Sequence, residues 1–353
     1  MATPLVALSR EFLAGSPLRH APYRVFYVGA IGAALGYTMQ TTVAAWLMAT
    51  LTPSAVMVAL VQTASTAPAL LFGLLAGAMA DIVDRRTMIF WTQVVLLAAT
   101  AILGATELTE WAGPGTLLAL TFAVGAGFAF YQPAQNATVN DLVAREELPQ
   151  AVSLNAVAFN VARAIGPALA GALTAVIGTG SALLASAACF GAMIVAVRRL
   201  RHRAPALPGV PERVLSGVQT GLRYARHSPA LRAFILRTLS FTACASALWA
   251  LLPVIARDQL KLGAGGYGFL FATLGVGAVI GAVSIPRQLK TRSLNRVVRT
   301  AAILWALANL LIAASGHVAL AAAGTFFSGA AWVTVHASLS TGTQSSVPAW
   351  VRA

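Results

Sequence analysis

The sequence predicts an all-α polytopic membrane protein, and three observations indicate this fold class. Hydrophobic residues make up 58% of the 353 residues, charged residues only 10%, and the mean hydropathy is +0.77. A soluble domain carries about 25% charged residues, because its surface must face water. The apolar residues also fall into stretches of about 20 residues, the length that crosses the hydrocarbon core of a bilayer. Arginines collect between these stretches, mostly in alternate connections.

Each apolar stretch is predicted to be a continuous helix, because hydrocarbon offers no partner for an unpaired backbone group. The predicted helices cover residues 25–48, 55–80, 87–105, 114–138, 151–177, 179–197, 232–256, 264–286, 296–315 and 317–341. The first stretch follows several charged residues and is too long for the apolar part of a secretory signal. We therefore expect it to remain as the first spanning helix.

The basic residues set the predicted orientation, since cytoplasmic loops carry the excess of arginine and lysine. With a cytoplasmic N-terminus, the inner side receives nearly all of them and the outer side only Arg257 and Lys261. We thus expect a multi-pass membrane protein with a cytoplasmic N-terminus. The net charge of +14 then results from arginines that set the orientation of the helices in the membrane, and no nucleic-acid partner is expected.

The longest hydrophilic interruption divides the chain into four predicted parts. They are a cytoplasmic N-terminus (1–24), a six-helix bundle (25–197), a cytoplasmic linker (198–230) and an incomplete four-helix bundle (231–353). In the linker, Val214, Val218 and Leu222 share one helical face. This pattern predicts an amphipathic helix on the inner membrane surface, although a helix that binds a calmodulin-type partner fits it too.

Four charged residues interrupt two very apolar segments in the stretch GAMADIVDRR, which begins at Gly77: Asp81, Asp84, Arg85 and Arg86. The stretch resembles the loop between helices two and three of the major facilitator superfamily. Gly77, Asp81, Arg85 and Arg86 occupy matching positions, and the D-x-x-D-R-R form is usual in one exporter subgroup. Residues 36–55, 131–173 and 338–353 are similar to the same subgroup, which contains the enterobactin exporter and many macrolide and siderophore efflux permeases.

The resemblance covers essentially the whole chain and implies the major facilitator fold, with two helical bundles. It also implies a location in the bacterial cytoplasmic (inner) membrane. That fold has twelve spanning helices, whereas ten stretches are present here. We therefore expect a chain truncated at its C-terminus, which lacks helices eleven and twelve.

Charges at the inner membrane edge can pair in one conformation and separate in another, as a two-state latch requires. We expect this role for Asp81, Asp84, Arg85 and Arg86, with Asp141 at the end of helix four as partner. The alternative is a solvated loop whose arginines serve only topology.

Arg163 lies about 12 residues, or roughly 18 Å, into predicted helix five. A cation at this depth is costly and should face the protein interior. Its candidate partners are Asp141, Gln132, Asn136 or an anionic substrate. The following Gly166, Pro167 and Gly171 resemble part of the helix-five motif of superfamily antiporters, but tight helix packing also explains them.

Helices one, four, seven and ten are expected to line the substrate path. Their candidate contacts are Gln40, Tyr131, Gln132, Asn136, Trp249, Trp332 and His336. His336 could titrate near neutral pH, or it could be a packing residue. No Asp or Glu lies near the middle of a predicted helix, so proton coupling is implied by the resemblance alone.

We expect a secondary active exporter of an amphipathic drug or siderophore, coupled to protons and working by alternating access. An importer or facilitator of the same fold, and a non-functional fragment or interaction protein, are the alternatives. An enzyme is not expected, because no nucleophile–base pair or metal-ligand spacing is found, and no cofactor is implied. Lipid surrounds the chain, and a monomer is favoured.

Overall fold

The computed structural model describes residues 16–200 and 226–346, and within them the chain is helical without strands. A short 3₁₀ turn, Pro17–Arg19, precedes the first long helix, and a π-helical turn, Ile255–Gln259, extends the seventh. The long helices are α1 Ala21–Leu51, α2 Ala55–Ile82, α3 Arg85–Leu108, α4 Pro114–Leu142, α5 Leu148–Ile177, α6 Thr179–Arg199, α7 Pro229–Val254, α8 Ala264–Thr291, α9 Leu294–Ala314 and α10 Val318–Ser346.

The helix ends follow local sequence signals. Prolines stand in the first turns of α4, α5 and α7, where the missing N–H would have no helical partner anyway. Ser228 caps α7, with its hydroxyl accepting from the backbone N–H of Leu231 at 3.4 Å. Gly178 separates α5 from α6 at φ 84°, a conformation that a side chain would disfavour. The chain can therefore reverse there without a longer loop.

The predicted fold class is confirmed, since every predicted stretch corresponds to one long helix. Nine helices of the described ranges, α2 to α10, are long and apolar enough to cross a membrane. Helix α1 is not among them, because polar residues from Tyr37 to Thr42 lower its hydropathy.

The polarity of α1 is explained by its burial inside the protein. Thr38, Gln40 and Thr42 are all buried, and Gln40 is 0% exposed. The Thr42 hydroxyl donates to the Thr38 carbonyl at 2.8 Å, one turn back. Helix α1 packs along α5 and α6, so protein rather than lipid surrounds most of its surface.

The described residues form two compact units. The first comprises residues 16–51 and 60–200, and the second residues 52–59 and 226–346. The four predicted parts of the chain stay a prediction. The predicted amphipathic helix, with Val214, Val218 and Leu222, lies outside the described residues.

The core of the first unit is assembled from α1, α3, α4 and α6. Its fully buried large side chains include Tyr23, Phe26, Ile89, Leu96 and Phe190. In the second unit α10 packs along both α8 and α9. There the Thr273 and Thr325 hydroxyls lie 2.6 Å apart and join α8 to α10.

Helices α1 and α5 approach most closely at Gly166. A Cβ atom built there would lie 2.9 Å from Thr38 Cβ, closer than unstrained carbon atoms come. The Thr38 hydroxyl also lies 3.2 Å from the Ala162 carbonyl, one turn earlier on α5. The absence of a side chain at position 166 is therefore what allows this helix crossing.

We predict that Gly166→Val destabilises the protein by about 1–3 kcal/mol, because the added methyl groups force α1 and α5 apart. Thermal unfolding of the detergent-purified chain, followed by intrinsic fluorescence, measures the change. Gly191→Ala on α6 is the matched control, since a Cβ there meets nothing within 4 Å. Equal unfolding temperatures for the two variants would contradict the close crossing.

Candidate functional site

The charged cluster between α2 and α3 ties together helix ends of the first unit. The Arg85 guanidinium donates to Asp141 Oδ2 at 2.5 Å and to the Ala137 carbonyl at 3.2 Å, both near the end of α4. The two side chains of this ion pair are 28% and 31% exposed. Partial burial limits the screening of the pair by water, so the start of α3 is held against the end of α4.

Arg86 makes a similar connection to α6. Its guanidinium donates to the Val197 carbonyl at 3.1 Å, near the C-terminal end of that helix, where carbonyl groups lack helical partners. The Arg198 guanidinium in turn lies 4.9 Å from the centre of the Phe90 ring on α3. Arginines at these positions thus join α3 to α6.

The two aspartates of the cluster are placed differently. Asp84 is the N-cap of α3, and its Oδ1 accepts from the backbone N–H of Thr87 at 2.8 Å. Asp81 is exposed in the last turn of α2. A Cβ atom at Gly77 would meet nothing within 4 Å, so close packing inside the described residues does not require a glycine there.

Sequence reasoning missed a second charged contact in the first unit. Glu147, at the N-cap position of α5, forms an ion pair with Arg19, and its Oε2 lies 2.9 Å from His20 Nε2. The Glu147 side chain is only 13% exposed. The contact joins the turn before α1 to the turn before α5, and its members lie too far apart in sequence for any local pattern to reveal them.

Two cavities lie in the first unit, with volumes of about 450 and 570 Å³. They share wall residues of α4 and α5, namely Phe128, Gln132, Asn136 and Phe159. The first extends along α1, α4 and α5, and the second also reaches α2 and Tyr37 of α1. Of the residues predicted for the substrate path, Tyr131, Gln132 and Asn136 line these walls.

The walls of the first cavity are rich in carboxamides. They are contributed by Gln132, Gln135, Asn136, Asn140 and Asn155. Tyr131 is 2% exposed, and its hydroxyl has no hydrogen-bond partner in the described part of the chain; the same is true of Asn155 Oδ1. Buried polar atoms normally find a partner, so these two atoms indicate a place for a hydrogen-bonding ligand.

Aromatic rings form another part of the walls. The Tyr37 and Phe128 rings are stacked with centres 3.8 Å apart and 9° between their planes. The centre of the Phe159 ring lies 6.2 Å from that of Phe128. Arg163 follows Phe159 by one turn on the same face of α5 and is exposed.

The remaining predicted residues of the first unit lie elsewhere. Gly166, Pro167 and Gly171 are buried along α5. Gln40 is buried in α1 but does not line either cavity, and neither end of its amide has a partner among the described residues. Gln40 is thus placed as an interior polar residue of the bundle.

In the second unit the structure brings Trp249, Trp332 and His336 into one aromatic cluster. The Trp332 ring centre lies 4.1 Å from that of His336 and 5.7 Å from that of Trp249. His336 Nε2 is 3.5 Å from the Thr242 hydroxyl. Sequence reasoning missed the other members, which are Phe241, Phe271 and Trp305. No cluster of three possible metal-ligating side chains occurs in residues 16–200 and 226–346.

Comparison with known proteins places the chain among membrane transporters. A profile of the transmembrane secretion effector family matches residues 13–353. The multidrug efflux pump Tap of Mycolicibacterium fortuitum is 26% identical over 312 residues, which cover 84% of this chain and 74% of that protein. The staphyloferrin A transporter of Staphylococcus aureus is 26% identical over 247 residues. That alignment covers 69% of this chain but only 62% of the relative, less than two thirds of its length.

Solved structures show the same fold. A bacterial homolog of the human lysosomal transporter Spinster, inward-facing and unoccupied, superposes with a TM-score of 0.71 at 16% identity, covering 94% of this chain and 77% of that one. The nucleoside transporter NupG gives a TM-score of 0.69 at 13% identity, covering 94% of this chain and 84% of that one. At such identities the likeness concerns the fold alone.

Asp84 can stabilise α3 by capping its first turn or by its negative charge, and two substitutions distinguish these effects. Asp84→Ala should destabilise the protein by about 0.5–2 kcal/mol, because the N–H of Thr87 loses its acceptor. Asp84→Asn keeps an acceptor and should stay close to the wild type in thermal unfolding. If Asn destabilises as much as Ala, the carboxylate charge rather than the cap is what matters at this position.

Proposed function

We propose that this chain, which belongs to the transmembrane secretion effector family of the major facilitator superfamily, exports an amphipathic small molecule from the bacterial cytoplasm. The chain is an integral membrane protein of a transporter family and not an enzyme. What is proposed is the direction, the class of substrate and the coupling to protons. Alternating access to a binding site within the membrane is the proposed mechanism.

The cavities of the first unit are the observation that carries this proposal. Their volumes fall within the range of about 300–1,000 Å³ that is typical of sites for small molecules. Aromatic rings beside carboxamides suit a ligand that is partly apolar and partly hydrogen-bonding. The names of the two curated relatives, a multidrug efflux pump and a siderophore transporter, agree with a substrate of this size.

Proton coupling is proposed from the resemblance to superfamily antiporters alone. In the described residues every Asp and Glu lies in a terminal turn of a helix, in the π-helical turn after α7 or in a connection, so no carboxylate stands at mid-depth to carry the proton. The distribution of arginines supports a cytoplasmic N-terminus and an inner-membrane location. A monomer in lipid is the proposed working form.

We further propose that Asp81 contributes to the inner latch. The Arg85 and Arg86 contacts lie inside the first unit, where they hold helix ends together. Asp84 caps α3. Asp81 is exposed and takes no part in these contacts, so we assign to it a contact that changes during transport.

Uptake by inside-out vesicles tests the proposed export. Vesicles that contain the protein should take up fluorescein or rhodamine 123 when their lumen is acidified, and a protonophore should abolish the uptake. Vesicles without the protein are the control. Uptake of either dye supports export, whereas uptake only in right-side-out vesicles would favour an importer or facilitator.

We predict that Asp81→Asn lowers the initial rate in this assay by about tenfold, the scale of a coupling of 1–3 kcal/mol between conformations. Its amount in the membrane and its thermal unfolding should remain those of the wild type, because the side chain is exposed. Glu110→Gln, an exposed charge in the turn after α3, is the control. A wild-type transport rate for Asp81→Asn would exclude the latch.

A further inference from the structure

We infer that the carboxamide-lined cavities of the first unit select an aromatic carboxylate, with Arg163 as the residue that favours its negative charge. The inference rests on the proposed function and adds the substrate's charge class to it.

The walls themselves carry no charged side chain. Their polar groups are the five carboxamides, the Tyr131 hydroxyl, the Tyr37 hydroxyl, Ser65 and Thr66. A cationic ligand would lose its hydration there without gaining a carboxylate, and burying an uncompensated charge is costly. Carboxamide N–H groups and hydroxyls can donate to ligand oxygens, so the walls accept an oxygen-rich ligand.

A positive charge stands one helical turn from a wall residue of both cavities. Arg163 stands close to the middle of α5, one turn beyond Phe159, which lines both cavities. Its neighbour Ala162 lies at the crossing with α1, where the Ala162 carbonyl is 3.2 Å from the hydroxyl of Thr38. Thr38 directly follows Tyr37, which lines the second cavity. A cation at mid-depth is costly to maintain and is most often functional. Because arginine binds carboxylates through paired N–H groups, its position favours a carboxylate ligand.

The aromatic part of the ligand follows from the rings. Phe128 is stacked on Tyr37 and approached by Phe159, so the wall offers a flat apolar surface beside the carboxamides. The unpartnered Tyr131 hydroxyl and Asn155 Oδ1 are placed for the polar groups of the same ligand. Aromatic rings also attract cations, so a cationic ligand is the competing outcome.

Fluorescein and rhodamine 123 test the charge directly, since they share the xanthene ring system and differ in charge. Each dye is titrated with the purified full chain in neutral detergent, with empty micelles as blank, and binding is read from fluorescence anisotropy. We expect fluorescein to bind more tightly than rhodamine 123. Tighter or equal binding of rhodamine 123, or binding of neither dye, would overturn the inference.

Three variants locate the effect. Arg163→Gln should weaken fluorescein binding by roughly tenfold, the scale of one charge-assisted hydrogen bond, while Arg163→Lys keeps part of the affinity. Asn155→Asp places a carboxylate in the wall and should reverse the preference toward rhodamine 123. Arg145→Gln removes an exposed arginine outside the walls and is the matched control.

Unfolding temperatures of all variants show whether each one folds. Unchanged fluorescein affinity in folded Arg163→Gln, or an equal loss in Arg145→Gln, would overturn the assignment of Arg163. Selective binding of fluorescein without uptake in the vesicle assay would leave the inference standing and refute the proposed export. The two proposals can therefore fail separately.

Discussion

The structure depends on one constraint, which is that hydrocarbon accepts neither an unpaired backbone group nor an unpaired charge. The backbone meets it by forming long helices. Among the described residues the acidic side chains meet it by standing in connections, in terminal turns or in the π-helical turn after α7. Polar residues inside the helices are tolerated where other helices cover them, as Gln40 and Thr42 of α1 show. Arg163, by contrast, stands near the middle of α5.

The charges at the helix ends also stabilise the first unit. Arg85 contacts the end of α4 and Arg86 the end of α6, so two neighbouring arginines fix three helices at one level. Glu147 joins the turn before α1 to the start of α5 in a similar way. Charged residues at the helix ends thus hold the helices of the first unit together.

The sequence predicted the helices closely, because hydropathy and length respond to the bilayer and not to the details of packing. It also predicted Tyr131, Gln132 and Asn136, which the structure places in the cavity walls. It did not predict that Asp84 is a helix cap, or that Asn155 and Phe159 of α5 face the same cavity as α4. Those facts depend on the rotation of each helix about its axis, which packing between distant residues determines. The contact of Glu147 with Arg19 and His20 was missed for the same reason.

The crossing of α1 and α5 positions residues beside the cavities of the first unit. The Thr38 hydroxyl has three carbonyl acceptors within reach, those of Ala34 and Leu35 on its own helix and that of Ala162 on α5. Gly166 allows this approach. Tyr37 is the neighbour of Thr38, and Arg163 is the neighbour of Ala162. The crossing therefore fixes the spacing of the backbone positions that carry these two polar side chains. Side chains on packed helices hold their positions better than side chains on loops. The small residues of α5 therefore act on the site through the spacing of α1 and α5, without contacting a ligand themselves.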